Sequence, residues 1–146
     1  MREAAERGAA TVVFPELCIT GYSNDDLFHQ DALLDAALEG LRELAARSAT
    51  VPVIAVVGLP LREFYEKRHF DSGTGVRGRV IELFGNEVPF GIDLIFRVPS
   101  VPGLSLHTEI CEDIWVPVPP SSLASLAGAT VLANLSASNV TIGKSE

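Results

Sequence analysis

Polar groups that could act together in nucleophilic chemistry follow three predicted β-strands. Glu16 comes after the apolar run 10–14, Cys111 comes after the alternating run 104–110, and Asn134 follows a third apolar run. In open α/β sheets, ligands bind beyond the carboxyl ends of parallel strands, where the loops converge. A thiol and a carboxylate brought together at such an edge can serve as nucleophile and general base.

The same two residues have simpler interpretations, and the pattern alone leaves both open. A free thiol has a pKa of about 8.5, so Cys111 needs a nearby base before it reacts at neutral pH. Glu16 could be that base, or it could be a loop carboxylate that caps a helix. Cys111 could equally pack at a strand end as a small apolar residue. Cys18 lies between Leu17 and Ile19, which predicts a core residue.

Composition limits the partners of this chain. It has 146 residues, a net charge of −8 and 47% hydrophobic residues, which predicts one globular domain with its own core. Nucleic acid is not an expected partner, because no basic run is longer than Lys67-Arg68. The uncharged stretch 114–143 contains three prolines, Pro117, Pro119 and Pro120, and therefore does not predict a membrane span.

Cysteine and histidine usage bears on location and on metal binding. The two cysteines form no disulfide framework and the N-terminus lacks the apolar run of a signal peptide, so we expect a cytoplasmic protein. The three histidines, His29, His69 and His107, are isolated from one another. This spacing does not match a zinc or iron site, and we expect no metal.

The elements that must position the polar groups alternate along the chain. Strand 10–14 is followed by a helix whose apolar stripe runs from Leu34 to Ala45, and then by a fully buried strand over 51–59. Strand, helix and strand in this order predict an α/β fold.

The second half of the chain predicts further short elements. The apolar runs 79–84 and 88–96 predict a hairpin, and the alternation in 104–110 predicts a strand. Ser121 is the predicted N-cap of a short helix that ends before Gly128, and 130–133 is the next strand.

Five blocks of the sequence resemble the nitrilase, or carbon–nitrogen hydrolase, superfamily, and within it the glutaminase domains of glutamine-dependent NAD synthetases. The blocks are VVFPELCITGYS at 12–23, REFYEKRHF at 62–70, VPFGID at 88–93, EICEDIWVP at 109–117 and NLSASN at 134–139. The resemblance implies the nitrilase α-β-β-α sandwich, here incomplete, in which two mixed sheets are covered by helices. It also implies pairing with a second copy of the chain.

The resemblance implies a Glu-Lys-Cys triad that hydrolyses the side-chain amide of glutamine. Glu16 would be the base and Cys111 the nucleophile, which forms a thioester and releases ammonia before water completes the reaction. Glu66 falls at the additional carboxylate that orients the triad. The positions that line the glutamine pocket in the family correspond to Tyr22, Phe64, Glu112, Ser138 and Lys144. Packing roles for the two aromatic residues and a solvated tail position for the lysine are the alternatives.

The sequence departs from the family where the triad lysine should lie. In the family, the strand matching 51–59 leads into a hairpin and a lysine-bearing block, whereas here Leu61 is followed directly by Arg62. About 30 residues are missing by ordinary element sizes. Lys67 belongs to the next block and is not the triad lysine. Loss of one oxyanion-stabilising group lowers turnover by about 10² to 10³, so we expect impaired or absent activity.

Three functional hypotheses follow. In the first, residues 1–146 are part of a glutaminase domain that begins inside its first helix, and its ammonia is used by an ATP-dependent synthetase domain in cis or in trans. No Ser-Gly-Gly-x-Asp-Ser pyrophosphate loop is present, so ATP and Mg are expected only in that other domain. The alternatives are a stand-alone nitrilase-type amidase and a non-catalytic remnant with a binding role. Unpaired sheet edges would lower stability in each case.

Overall fold

A computed structural model of the chain describes residues 1–61 and 73–137. Helices and strands alternate at both ends of the described part of the chain, around a middle part that contains strands and short turns, which confirms the predicted α/β class. The elements are α1 Arg2–Glu6, β1 Thr11–Val13, α2 Asp31–Ser48, β2 Ile54–Val56, β3 Arg79–Leu83, β4 Asn86–Phe90, β5 Phe96–Arg97, β6 Ser105–Ile110, α3 Pro120–Leu126 and β7 Val131–Leu135.

The described strands form three small sheets. β1 and β2 pair in parallel with Thr11 opposite Ile54, and β6 and β7 pair in parallel with Leu106 opposite Val131. β5 joins the second of these sheets as an antiparallel edge, and β3 and β4 form a separate antiparallel hairpin. The two parallel pairs are the elements that bring polar strand ends together.

The long helix follows its sequence pattern closely, and the predicted hairpin forms from β3 and β4. The apolar stripe of α2 places Leu34 and Ala37 in the core, whereas Arg42 and Glu39 form an exposed ion pair at 2.8 Å on the outer face. Between β3 and β4 the chain turns at Phe84 and Gly85, both with positive φ. Two such residues form the tight loop that matches the twist of a hairpin.

Two predicted strands are shorter than their apolar runs. The run 51–59 forms a strand only at Ile54–Val56, and all three of these residues are partly exposed rather than fully buried. β2 pairs with β1, and β1 is only three residues long, so the paired part of β2 is equally short. The second hairpin strand ends at Phe90 instead of continuing to residue 96.

Two residue-level predictions are wrong. Cys18 is exposed rather than in the core, and its Sγ lies 3.6 Å from the carbonyl oxygen of Gly58. Ser121 is inside α3, because Pro119 is the N-cap and Pro120 takes the first helical position. Proline favours that position since its fixed φ suits a helix and it has no N–H to satisfy.

Among the described residues, no helix is both long enough and apolar enough to cross a bilayer.

Candidate active site

Cys111 lies at a sharp turn directly after β6. It begins the 3-10 turn Cys111–Trp115 and has a φ of 46°, a left-handed conformation that is uncommon for residues other than glycine. The N–H of Ile110 donates to Oδ2 of Asp113 at 3.0 Å, which closes this turn. The half-buried thiol is thus presented at the carboxyl end of the strand.

Glu16 lies just beyond the carboxyl end of β1 and is 7% exposed. The N–H of Phe14 donates to the carbonyl of Val56 at 2.9 Å, so the chain stays paired with β2 until it turns toward Glu16. Gly58 then passes directly against the Glu16 backbone. A Cβ atom at position 58 would lie 1.6 Å from the carbonyl oxygen of Glu16, so only glycine fits this crossing.

The structure brings Glu16 and Cys111 into contact. Burial raises the pKa of the Cys111 thiol, and the negative charge of Glu16 and its hydrogen bond to the thiol raise it further. The Ser136 hydroxyl and the backbone N–H of Ala137 lower this pKa, because both lie where they can donate a hydrogen bond to the ionised sulfur. Cys111 therefore remains protonated at neutral pH, with a carboxylate in place to accept its proton.

The other predicted site residues are placed only in part. Tyr22 is 51% exposed in the loop after β1, and Glu112 is exposed in the turn that begins at Cys111. Phe64, Glu66, Ser138 and Lys144 lie outside the described residues, as does Lys67. The pocket-lining roles of all these side chains, and the orienting role of Glu66, stay predictions.

Polar side chains from β6 and β7 surround the nucleophile turn. Nδ2 of Asn134 donates to the carbonyl of Cys111 at 3.1 Å, and it lies 3.4 Å from Oε1 of Glu109. Oε2 of Glu109 accepts a hydrogen bond from the N–H of Ser121 at 3.0 Å, in the first turn of α3. The Ser136 hydroxyl donates to Oδ1 of Asn134. These contacts connect both strands and α3 to Cys111.

Glu109, Ser136 and Gly58 have no role that was predicted from the sequence. The alternation in 104–110 placed Glu109 on the polar side of a strand, yet Ser105, His107 and Glu109 are all buried. The signal that was available is position, since Glu109 lies two residues before the nucleophile and Ser136 two after Asn134. No local signal marks Gly58, because its contact with Glu16 is tertiary.

The outer side of the nucleophile turn is apolar and exposed. Trp115, at the end of the turn, is 84% exposed, and Leu126 at the end of α3 is 87% exposed. Val116, Val118 and Leu123 lie between them in sequence and are also exposed. Within the described ranges, no group of three acidic, histidine or cysteine side chains could hold a metal ion.

Comparison with known proteins identifies relatives over the whole chain. Residues 1–63 match the carbon–nitrogen hydrolase family. The glutamine-dependent NAD(+) synthetase of Mycobacterium tuberculosis H37Rv is 44% identical over 99% of this chain, which covers 26% of that protein. Its counterpart from Mycobacterium leprae is 40% identical, with the same coverage. The chain thus spans about a quarter of the length of the curated relatives it matches.

A solved structure gives the same result. The crystal structure of a glutamine-dependent NAD(+) synthetase from Cytophaga hutchinsonii matches 98% of this chain with a TM-score of 0.75 and 26% sequence identity, over 27% of its own length. The alignment with the Mycobacterium tuberculosis protein extends over 175 residues. This exceeds the 146 residues of the chain, so part of the aligned relative has no counterpart here.

Proposed function

Because this chain belongs to the carbon–nitrogen hydrolase family, we propose that its site is a glutamine-hydrolysing centre of the kind that supplies ammonia for NAD synthesis from deamido-NAD. The observation that carries the proposal is the contact between the Glu16 carboxylate and the Cys111 thiol. The relatives described above are all glutamine-dependent NAD(+) synthetases, which supports glutamine as the substrate.

The proposed chemistry begins with the protonated thiol. Cys111 Sγ attacks the side-chain amide carbon of glutamine while Glu16 accepts the proton from sulfur. Glu16 then passes that proton to the amide nitrogen, the carbon–nitrogen bond breaks, and ammonia leaves a thioester on Cys111. Water attacks the thioester, Glu16 takes a proton from it, and the proton returns to sulfur as glutamate leaves. Because the pKa of Cys111 is raised, the carboxylate must act during attack rather than before it.

The proposed domain context follows from the relatives. The chain covers about a quarter of their length, which supports a partial glutaminase domain whose ammonia is used by a synthetase domain elsewhere. That domain, in cis or in trans, would be the site of ATP and Mg. Pairing of the chain with a second copy belongs to the same proposal, and the cytoplasmic location remains a prediction.

We further propose that this chain turns over glutamine slowly or not at all. The triad lysine of the family has no counterpart in the sequence, and the stretch of the mycobacterial relative that aligns with nothing here supports that absence. A stand-alone amidase and a non-catalytic remnant are the competing functions. The same missing lysine favours the non-catalytic remnant for the chain as it stands.

Ammonia release from glutamine tests the proposal directly. The purified chain is incubated with glutamine beside Cys111→Ala, with Cys18→Ala as the matched control because Cys18 is the other cysteine. We expect ammonia release about 10² to 10³ slower than in a glutaminase with a complete triad. Release should disappear in Cys111→Ala and be unchanged in Cys18→Ala. Release that survives Cys111→Ala would contradict the assigned nucleophile.

Covalent labelling separates the remnant from an impaired enzyme. An electrophilic glutamine analogue should label Cys111 and leave Cys18 unmodified, as mapped by peptide mass spectrometry. Labelling without turnover would show that the pocket assembles and that the missing lysine limits catalysis. If the chain neither releases ammonia nor is labelled, the glutaminase proposal fails for this chain. If a simple aliphatic amide is hydrolysed faster than glutamine, the stand-alone amidase is the correct alternative.

A further inference from the structure

A set of side chains on β6 and β7 reaches Cys111 without belonging to the predicted triad or pocket. We propose that Ser136 stabilises the thiolate of Cys111 by hydrogen bonding, and that Asn134 and Glu109 are positioning residues for this contact. The inference rests on the proposed function only in taking Cys111 as the nucleophile.

A path of hydrogen bonds leads from the buried carboxylate of Glu109 to the Cys111 turn. Glu109 is 4% exposed and accepts from two donors, the Ser121 N–H at 3.0 Å and Asn134 Nδ2 at 3.4 Å. The same Nδ2 donates to the carbonyl of Cys111 at 3.1 Å. The two hydrogens of one amide thus connect a buried carboxylate to the nucleophile turn, and this fixes the orientation of the Asn134 side chain.

The carbonyl oxygen of the Asn134 side chain contacts Ser136. Because both Nδ2 hydrogens have partners, Oδ1 of Asn134 faces the other way, where it accepts from the Ser136 hydroxyl. The hydroxyl oxygen is also within hydrogen-bonding reach of Cys111 Sγ. Asn134 therefore fixes Ser136 and the Cys111 carbonyl relative to each other.

The Ser136 hydroxyl can donate to only one partner at a time. A serine hydroxyl has one hydrogen to donate. While Cys111 is a thiol, its own S–H bonds to Glu16 and the Ser136 hydrogen bonds to Asn134. When the proton leaves sulfur, the hydroxyl can rotate and donate to the thiolate instead. Hydrogen bonds to a charged group are about twice as strong as those between neutral groups, so this rotation favours the ionised nucleophile.

Ser136 lowers the pKa of Cys111, whereas burial and Glu16 raise it. Ser136 thus counteracts the rise that Glu16 causes in the pKa of the same sulfur.

The test is the pH dependence of Cys111 alkylation by iodoacetamide, measured in a Cys18→Ala background so that only one thiol reacts. Ser136→Ala should move the midpoint to higher pH and slow alkylation at neutral pH by about tenfold, the size expected for losing a hydrogen bond to a charged group. Ser136→Thr, which retains the hydroxyl, should restore most of the rate. If the alkylation profile of Ser136→Ala coincides with that of the Cys18→Ala chain that retains Ser136, the inference is overturned.

A matched control separates this effect from general loosening. Ser105 lies on β6 and donates to the carbonyl of Gly128 at 2.7 Å, at the end of the strand farther from Cys111. Ser105→Ala removes a hydroxyl hydrogen bond of the same type and should leave the alkylation midpoint unchanged. An equal shift in Ser105→Ala would show that Ser136 acts only through stability, and the inference would fail.

A second variant tests the positioning role, and it also covers the case in which Ser136→Ala fails to fold. Asn134→Asp retains the size of the side chain but removes the donor to the Cys111 carbonyl and adds a negative charge beside the Cys111 turn. Both changes should raise the alkylation midpoint, and an unchanged or lowered midpoint would contradict the assigned role of Asn134.

Alkylation does not require glutamine turnover. A Ser136-dependent profile in a chain that neither releases ammonia nor is labelled by the glutamine analogue would therefore keep this inference and reject the proposed glutaminase function, and the reverse result would do the opposite.

Discussion

Cys111 and Glu16 follow strands of two different sheets, and the two sheets differ in how they position a side chain. β6 has six residues, pairs with strands on both sides, and buries Ser105, Leu106, His107 and Glu109. β1 has three residues, has β2 as its one partner among the described strands, and is exposed at Val13 and partly exposed at its other two positions. Within the described sheets, the nucleophile thus follows a central strand, and the carboxylate follows an edge strand.

The contacts that position the two residues differ in kind. The Cys111 turn is oriented by directional hydrogen bonds from Asn134 and within the turn itself. The Glu16 backbone is positioned by close packing against Gly58, a contact with no tolerance for a side chain. Hydrogen bonds fix an orientation and can weaken gradually, whereas a steric contact either fits or displaces the chain. Substitutions on the two sides should therefore fail in different ways.

Gly58→Ala should have the largest effect. The added Cβ would lie 1.6 Å from the Glu16 carbonyl oxygen, so one of the two backbone segments must move. We expect a loss of about 3 kcal/mol in the free energy of unfolding, measured by urea denaturation. Displacement of Glu16 should also abolish any glutamine turnover.

Gly75→Ala is the matched control for this substitution. A Cβ at position 75 has no neighbour within 4 Å, and the residue does not have a positive φ. Its unfolding free energy should stay within about 0.5 kcal/mol of the unsubstituted chain. Equal losses in the two variants would show that packing at Gly58 is not what positions Glu16.

Glu109→Leu tests the side of the nucleophile. It leaves the Ser121 N–H and the Asn134 amide without their buried acceptor, which should cost about 2 kcal/mol. Glu109→Gln retains one acceptor oxygen and should lose less than half as much. Glu87→Gln, at an exposed position on β4, should change stability by less than about 0.5 kcal/mol. If Glu109→Leu is as stable as Glu87→Gln, the polar contacts are not what holds this side of the site.

Glu16→Gln should give the smallest change in stability but a diagnostic change in pH dependence. The charge of Glu16 raises the pKa of Cys111, so its removal should lower that pKa and speed alkylation at neutral pH. Glutamine hydrolysis should nevertheless fall, because the proton acceptor is gone. The alkylation profile and the ammonia assay together check both signs. Slower alkylation in Glu16→Gln would contradict the assigned contact between the two residues.

The sequence predicted the elements that local patterns determine. The stripe of α2, the hairpin of β3 and β4, and the strand ending at Cys111 all depend on residues close together in the chain. The predicted meeting of Glu16 and Cys111 also follows from a general property, the convergence of strand ends in α/β sheets. Their catalytic roles came from the resemblance and stay predictions.

The features that sequence analysis missed depend on distant parts of the chain. Cys18 has apolar neighbours but is exposed, because its burial depends on what packs over the loop and not on adjacent residues. Gly58 is required by a backbone segment about 40 residues away. Glu109 is buried with its charge because α3 and β7 supply donors. A pattern of alternating polarity cannot contain this information, since it records only the strand itself.

The position of Trp115 gives this chain a built-in optical probe. It is the single tryptophan of the sequence, it lies four residues after Cys111 in the same turn, and it is 84% exposed. Its emission should resemble that of indole in water and should be quenched readily by acrylamide. Any segment or second copy that covers this face would shift the emission to shorter wavelength, so fluorescence would report such assembly without a label.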